Sequence, residues 1–274
     1  MRLSPQLTQT LVKILLWALT GLTLLILIFI IVDISVKGLP QVTPAFLFSE
    51  PVDMGRHGGI FSTIVATAYI TLLASPLGVG TAIYLTEYTR EGWATRLIRF
   101  GAECLAGVPS IILGLFGFVL FVLKLGFGWS VLSGALTLAI MVLPIIIRTS
   151  EEAIKAVPQE YRQACYSLGM SQWQIVTRIV LPSALPGITT GIMLSVGRSL
   201  GETAVLLFTA GEALRTPISL FDSGRTMAVH FYILAREGLS MPNAYGTAAV
   251  LVISILLINL VAYTLMQRLM KRYT

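Results

Sequence analysis

Two oppositely charged residues interrupt a stretch of the chain that otherwise carries no charge. Arg198 and Glu202 lie in GITTGIMLSVGRSLGETAVLLFTAG, residues 187–211, and are four positions apart. In a helix this spacing brings the two side chains within reach of each other. The guanidinium of arginine presents a planar fork of N–H donors that fits the oxygens of an oxyanion, and its charge does not titrate away. The pair therefore predicts an anion path in which Glu202 holds Arg198 until the anion arrives, with a simple helix-packing ion pair as the alternative.

The composition indicates what surrounds this pair. Of the residues, 55% are hydrophobic and 12% are charged, and the mean hydropathy is +0.84. A soluble domain is about 45–50% apolar and about 25% charged. The chain is therefore predicted to be an all-α integral membrane protein embedded in lipid, because a stretch that crosses the bilayer must satisfy its own backbone hydrogen bonds. The net charge of +6 does not indicate nucleic-acid binding, since the basic residues flank apolar stretches.

Six stretches are long enough to cross the membrane. About 20 apolar residues in a helix span the ~30 Å hydrocarbon core. The candidates are residues 14–36, 61–85, 97–123, 130–148, 184–211 and 245–267. If the N-terminus is cytoplasmic, the larger share of Lys and Arg lies on the cytoplasmic side, which predicts an N-in, C-in orientation. We expect residues 1–58 to hold the first transmembrane helix and an outer segment, and residues 59–268 to form the main transmembrane domain.

The charged residues within or beside these spans have different expected roles. Arg198 lies near the middle of the fifth span, where a charge costs roughly 2.5–3.5 kcal/mol on insertion scales, so it is expected to face the bundle interior. Arg148 ends the fourth span, where it either anchors the helix at the cytoplasmic surface or lines the inner end of the path. Glu103 follows Arg99 by four residues, which predicts an ion pair between them.

A polar elbow separates the fourth and fifth spans. Its first part, PQEYRQACYSLG, residues 158–169, is predicted to be a helix, with Pro158 in the first turn and Gly169 at the C-terminal cap. Ser171 and Gln174 fit a capping box that starts a second helix. The first helix has one apolar face, formed by Tyr161, Ala164, Cys165 and Leu168. The pattern predicts a firmly folded cytoplasmic elbow, and an amphipathic hairpin that only anchors the loop is the alternative.

The elbow resembles the cytoplasmic signature of bacterial ABC importer permeases, which reads E-A-A, three residues, Gly, nine residues and I-x-L-P. The spacing is intact in this chain, while Gln and Cys replace two of the three leading residues. In that family the elbow is the coupling helix that docks in a groove of the ATPase subunit. The resemblance implies the same role for residues 158–181, and in particular for Gln163, Ala164, Cys165, Gly169, Met170, Ser171, Ile179, Leu181 and Pro182.

Other stretches narrow the resemblance to the phosphate-specific permeases of this family, and to their A-type subunit (PstA) more than to the C-type. They are SPLGVGTAIYLTEY (75–88), AGVPSIILGLFGF (106–118), RSLGETAVLLFTAG (198–211) and RTMAVHFYIL (225–234). The resemblance implies a type I ABC importer permease fold in the bacterial inner membrane. It implies a homologous C-type permease, two ATP-binding subunits and a periplasmic phosphate-binding protein as partners. It also favours Arg148 on the path, because the family has a basic residue in this LP…R…EEA setting.

Several classes of protein are disfavoured by what the sequence lacks. There is no G-x-x-x-x-G-K-[ST] loop and no spacing of metal ligands, so we expect no cofactor, no metal and no ATP hydrolysis by this chain itself. The absence of two related halves argues against a self-sufficient ion-coupled carrier. Two alternatives stay open: a membrane scaffold that senses phosphate, and a permease for sulfate, molybdate or phosphonate. A permease for another oxyanion stays open because an arginine recognises the charge of an oxyanion more than its size.

Overall fold

The structure, a computed structural model, is built mainly from helices. It describes residues 5–85, 89 and 92–270. Two-residue strands, β1 (Pro51–Val52) and β2 (His57–Gly58), pair antiparallel between the second and third helices. The helices are α1 (Pro5–Gly38), α2 (Pro44–Phe48), α3 (Phe61–Ile83), α4 (Trp93–Ala106), α5 (Ser110–Gly117), α6 (Val131–Lys155), α7 (Gln159–Ser167), α8 (Gln172–Ile175), α9 (Leu181–Leu200), α10 (Ala204–Thr209), α11 (Met227–Arg236) and α12 (Met241–Met270). A π-helical turn, Phe118–Lys124, extends α5, and another, Val176–Val180, joins α8 to α9.

Helix α6 lies at the centre of the bundle. It packs against α3, α5, α9 and α10, and Leu138, Val142 and Ile146 in its middle are almost completely buried. A helix that is apolar nearly all round must be covered on every side, which explains this central position. Helix α1, in contrast, is apolar and exposed along its length apart from its contact with α12. An apolar surface of this size needs lipid or another protein to cover it.

The predicted spans are recovered only in part as unbroken helices. Among the described residues, four helical stretches are long and apolar enough to cross a membrane: Gln9–Gln41, Val131–Lys155, Gln172–Leu200 and Met241–Thr264. A fifth is formed if the bent pair of Thr95–Ala106 and Ser110–Lys124 is taken as one span, and the apolar part of α3, Phe61–Ala74, is shorter. The chain is therefore a multi-pass membrane protein, while six spans and the N-in, C-in orientation stay predictions.

Two stretches predicted as single spans are broken. Within residues 97–123, α4 and α5 meet at an angle of 115°. Pro109 lacks an N–H and disfavours helical backbone at Val108, so α4 stops before it. Within residues 184–211, α9 ends at Leu200 and α10 begins only at Ala204. Arg198 therefore lies in the last turn of its helix, and not in the middle of an unbroken one.

Small residues bring α6 and α9 into close contact. A Cβ atom on Gly187 would collide with Ala153, and one on Gly191 would collide with Thr149. The position number rises along one helix as it falls along the other, so the two helices run antiparallel. Backbones that approach this closely gain dispersion contacts along their length, which is how helices associate in a membrane.

This contact predicts the effect of adding one methyl group. We expect Gly191→Ala to lower the free energy of unfolding by about 1–3 kcal/mol, because the new Cβ forces Thr149 out of place. The matched control is Gly197→Ala on the same helix, since no neighbouring atom lies within 4 Å of a Cβ built at Gly197. Thermal unfolding in detergent measures both variants. Equal melting temperatures for the two would show that the α6–α9 contact is looser than described.

A buried arginine, Arg225, joins two segments that are distant in sequence, since its Nη1 donates to the Met54 carbonyl at 3.5 Å. The side chain of Arg225 is 2% exposed, and its Nε donates to the Glu212 carbonyl at 3.0 Å. Burial lowers the pKa of the Arg225 guanidinium. Burial, together with the nearby Arg225 charge, lowers the pKa of His230 to about 4, so this histidine is neutral at neutral pH. Arg225 therefore helps to hold its own segment against the segment around Met54, whereas His230 Nδ1 is buried without a hydrogen-bond partner among the described residues.

Candidate substrate path and coupling elbow

The elbow begins with α7, which ends in a glycine turn. Gly169 has φ +75°, the left-handed conformation predicted for it. The Gly169 N–H donates to the Tyr166 carbonyl at 3.0 Å, and the Met170 N–H donates to the Cys165 carbonyl at 3.1 Å. These two bonds form a Schellman motif, which satisfies carbonyls that the end of a helix leaves free. The turn is thus closed by hydrogen bonds and is not a slack loop.

The second helix of the elbow starts with the predicted capping box. The Gln174 N–H donates to Ser171 Oγ, and the Ser171 N–H donates to Gln174 Oε1 at 2.9 Å. After α8 the backbone widens into a π-helical turn over Val176–Val180, just before Pro182. Proline removes an N–H donor and its ring presses on the preceding turn, and a π-helical turn is one way in which a helix accommodates such a residue. The elbow therefore passes into α9 without a loop.

The motif predicted to couple to an ATPase has a buried part and an exposed part. Cys165 is buried in an apolar cluster with Ile154 at the end of α6 and Val157 just after it, and Met170, Ile179 and Leu181 pack against that cluster. Arg162 Nη2 also donates to the Ile154 carbonyl at 3.1 Å. Pro182 is half-buried. These contacts fix the elbow to α6 and α9.

The exposed part forms an apolar face on α7 next to Cys165. Of the predicted apolar stripe only Cys165 is buried, while Ala164 is exposed and Tyr161 and Leu168 are 54% and 80% exposed. Helix α7 thus buries only the Cys165 edge of its apolar stripe against the bundle. The other exposed members of the motif are Gln163, Gly169 and Ser171. An exposed apolar face on a rigid helix is typical of a surface that docks into a protein groove.

The predicted ion pair between Arg198 and Glu202 is not formed. Within the described part of the chain, Arg198 is exposed and no bond joins it to Glu202. Helix α9 ends at Leu200, so the continuous turn that would bring Glu202 beneath Arg198 is missing. Glu202 Oε1 instead accepts a hydrogen bond from the Val205 N–H at 3.3 Å, at the start of α10. Arg198 is left free to contact another group, and its charge suits the C-terminal end of the α9 dipole.

Arg148 lies in a charged groove between α4 and α6. The groove has a volume of about 730 Å³. Arg148 Nη1 lies 3.4 Å from Glu103 Oε1, and Arg148 Nε lies 3.5 Å from Glu152 Oε1. Both residues of the pair predicted within α4 contact α6, since Arg99 Nε lies 2.8 Å from Glu151 Oε1 and Glu103 contacts Arg148. The bend after α4 turns its charged face towards α6, and the direction of this bend was not predictable from the local sequence.

The two arginines of the groove are held with different strength. The Arg99 and Glu151 side chains are only 24% and 12% exposed, which makes theirs a short, partly desolvated ion pair that joins α4 to α6. The Arg148, Glu103 and Glu152 side chains are 64–71% exposed and their contacts are long. Exposed ion pairs contribute roughly 0–1 kcal/mol. Arg148 is therefore held weakly enough to exchange its partners.

The antiparallel contact between α6 and α9 determines which of the two predicted path arginines, Arg148 or Arg198, lies nearer to the elbow. Thr149, next to Arg148, faces Gly191 on α9. Arg198 lies seven residues beyond Gly191, which is about 10 Å further along the helix at 1.5 Å per residue. Because the elbow follows the C-terminal end of α6, Arg148 is the nearer of the two to the elbow.

These features define a class of protein: a multi-pass helical membrane protein with charged residues at two depths and a rigid polar elbow. The comparisons identify the family. The family model of binding-protein-dependent transport system inner membrane components matches residues 74–274. The chain belongs to this family and is an ABC permease subunit of the bacterial inner membrane.

Several relatives match over most of the chain. A probable ABC transporter permease protein, YqgI of Bacillus subtilis, is 35% identical over 262 residues, or 88% of this chain and 89% of the relative. The phosphate transport system permease protein PstA 1 of Mycobacterium tuberculosis is 37% identical over 211 residues, 76% of this chain and 69% of the relative. PstA of Pasteurella multocida is 34% identical over 247 residues, 86% of each chain.

Solved structures share the fold at low sequence identity. A chain of the MetNI methionine ABC transporter in an inward-facing conformation has a TM-score of 0.62 and 19% identity, and the match covers 77% of this chain and 94% of that one. A chain of a bacterial alginate ABC transporter has a TM-score of 0.65 and 14% identity, and the match covers 100% of this chain and 99% of that one. The chain thus has the type I ABC importer permease fold.

Proposed function

We propose that this chain is the membrane-spanning permease subunit of an ATP-driven importer of inorganic phosphate. The observation that carries the proposal is the likeness to relatives named phosphate transport system permease proteins, which extends over 86% of both chains for the Pasteurella multocida protein. In this proposal a homologous C-type permease completes the path and a periplasmic phosphate-binding protein delivers the ion. Two separate ATP-binding subunits hydrolyse ATP below the elbow, and six spans place both termini in the cytoplasm.

The elbow supports the coupling part of this proposal. Coupling to an ATPase needs a lever that does not absorb the movement imposed on it. The Schellman turn at Gly169 and the capping box at Ser171 make the elbow rigid, and its buried cluster ties it to α6 and α9. The exposed Tyr161, Ala164 and Leu168 then form the face that enters the groove of the ATP-binding subunit. ATP-driven motion reaches the two helices that carry Arg148 and Arg198.

Arg198 is proposed to bind phosphate on the path. The side chain is exposed in the single chain, yet a charge facing lipid costs roughly 2.5–3.5 kcal/mol. Arg198 can be exposed in the single chain and still avoid lipid if it faces the partner permease across a water-filled path. A guanidinium then offers paired N–H donors to the oxygens of the ion. Arg148, about 10 Å nearer the elbow, serves as a second cationic station before release.

Glu202 is proposed to act on the same path through its negative charge, by contacting the proton-bearing phosphate ion. Glu202→Gln isolates that charge, because glutamine keeps an oxygen that can accept from the Val205 N–H and so preserves the start of α10. We expect the initial rate of phosphate uptake to fall roughly ten-fold, since a hydrogen bond to a charged group contributes about 1.5–3 kcal/mol. Uptake at the normal rate at matched protein levels would remove Glu202 from the path.

The choice of phosphate is tested by competition. Cells that lack their own permease subunit are complemented with this chain, and uptake of radiolabelled phosphate is measured with an excess of unlabelled phosphate, sulfate, molybdate or phosphonate. We expect only unlabelled phosphate to compete strongly. Uptake of labelled sulfate, molybdate or phosphonate in place of phosphate would assign a different cargo, and no uptake of any labelled oxyanion would favour a phosphate-sensing scaffold.

A further inference from the structure

The groove between α4 and α6 contains equal numbers of basic and acidic side chains at the elbow end of the molecule. Its charged lining consists of Arg99, Glu103, Arg148, Glu151, Glu152 and Lys155. The volume of about 730 Å³ is in the range of pockets that hold small molecules, so the groove has room for a hydrated ion. Lys155 immediately precedes the elbow, so the groove lies where an ion leaves the path on the proposed cytoplasmic side.

The three carboxylates of the groove differ in their partners and in their exposure. Glu151 is 12% exposed and contacts both Arg99 and Lys155, so it belongs to the fixed connection between α4 and α6. Glu103 and Glu152 approach Arg148 from two different helices, each at the long end of ion-pair distance, and both are well exposed. Water and ions reach this second group, and Arg148 has one guanidinium nitrogen directed to each carboxylate.

We propose that Glu103 and Glu152 form a release clamp, in which the two carboxylates compete with phosphate for Arg148. The inference rests on the proposed function, since it assumes that phosphate passes Arg148. A phosphate ion that reaches Arg148 must displace both carboxylates, and their negative charges then repel it. The ion is bound only briefly, and the carboxylates return to Arg148 as it leaves. Glu103 and Glu152 are thus positioning residues that keep the cytoplasmic end of the path at low affinity for phosphate.

The clamp predicts how phosphate on the cytoplasmic side inhibits import. The full complex is reconstituted into vesicles with the elbow side exposed to a defined phosphate concentration, and phosphate import is measured as that concentration rises. Two unit charges 4 Å apart interact by an amount equivalent to about a five-fold change in affinity in water. We expect Glu103→Gln and Glu152→Gln each to lower the half-inhibitory phosphate concentration about five-fold, and the double variant to lower it further.

Matched variants separate the clamp from a structural effect. Glu103→Asp with Glu152→Asp keeps both charges and is expected to restore the wild-type half-inhibitory concentration. Glu237→Gln removes one negative charge from an exposed position on the proposed outer side, and we expect it to leave the half-inhibitory phosphate concentration unchanged. The double Gln variant should melt at nearly the wild-type temperature, whereas Glu151→Gln should melt lower because it breaks the buried pair with Arg99.

The outcomes distinguish this inference from the proposed function. Import by the wild-type complex together with tighter inhibition of the double Gln variant would support the clamp. Import by the wild type with unchanged inhibition of that variant would overturn the clamp and leave the phosphate permease standing. A wild-type complex that imports sulfate but not phosphate would overturn the proposed function, and the same titration with sulfate would then decide whether the clamp acts on that ion.

Discussion

Arg198→Gln is expected to reduce phosphate uptake at least about ten-fold, to near the level of cells without the subunit. The substitution removes a positive charge and the forked donor pair and leaves a shorter, neutral polar side chain. Hydrogen bonds to charged groups contribute about 1.5–3 kcal/mol, and each 1.4 kcal/mol is a factor of ten. Because Arg198 is exposed and makes no ion pair within the described residues, its loss leaves no buried charge unpaired. Membrane levels should therefore match the wild type on an immunoblot.

Two controls make the Arg198 result specific. Arg198→Lys keeps the charge but not the fork, so we expect uptake between those of the wild type and the Gln variant. Arg236→Gln makes the same chemical change at an exposed position beside Tyr232, on the proposed outer side, and we expect normal uptake. If Arg198 only stabilises the end of α9, its contribution is about 0.3–1 kcal/mol. Normal uptake with a slightly lower melting temperature would support that role and contradict a place on the path.

Gly169→Val is expected to detach or uncouple the ATP-binding subunit. No neighbouring atom lies within 4 Å of a Cβ built at this position, so the variant creates no clash. Its cost comes from the backbone, because φ is +75° and a left-handed residue other than glycine costs roughly 1–2 kcal/mol. A β-branched residue is disfavoured further. The turn should open, and co-purification of the ATP-binding subunit and phosphate uptake should fall together.

The control for Gly169→Val is a substitution at the same position by a residue that tolerates the left-handed backbone conformation. Asparagine adopts the left-handed conformation more readily than other residues, so Gly169→Asn should retain coupling. Leu168→Asp tests the docking face separately, since this side chain is 80% exposed and its replacement leaves the turn intact. We expect it also to weaken co-purification. Complete co-purification and full ATP turnover with Gly169→Val would show that the elbow is not where the ATPase engages.

The elbow was predictable from sequence because its signals are local. Gly169 and the Ser171–Gln174 box act on the backbone within a few residues, and the structure has both as predicted. The direction in which α7 turns its side chains was not predictable. Which face is buried depends on the ends of α6 and α9, which are distant in sequence, and this placed Cys165 inside and Tyr161 and Leu168 outside.

The charge pairs illustrate the same limit. Spacing of four residues predicted the ion pairs Arg99–Glu103 and Arg198–Glu202. Each prediction assumes that the helix is continuous and that no residue on another helix is a closer partner. Helix α9 ends before Glu202, and the bend after α4 brings Glu151 to Arg99. Apolar composition located four of the predicted spans as unbroken helices. It could not reveal the breaks at Pro109 and at Gly201, because both lie within stretches that remain apolar on each side.

The central claim is that this chain forms half of an ATP-driven phosphate path. The most direct test reconstitutes it with its C-type partner and two ATP-binding subunits in vesicles, adds the loaded phosphate-binding protein on the outer side, and measures accumulation of labelled phosphate. We expect accumulation that requires ATP hydrolysis and falls to background with Arg198→Gln. Accumulation that continues without hydrolysable ATP, or that is unaffected by Arg198→Gln, would contradict the account.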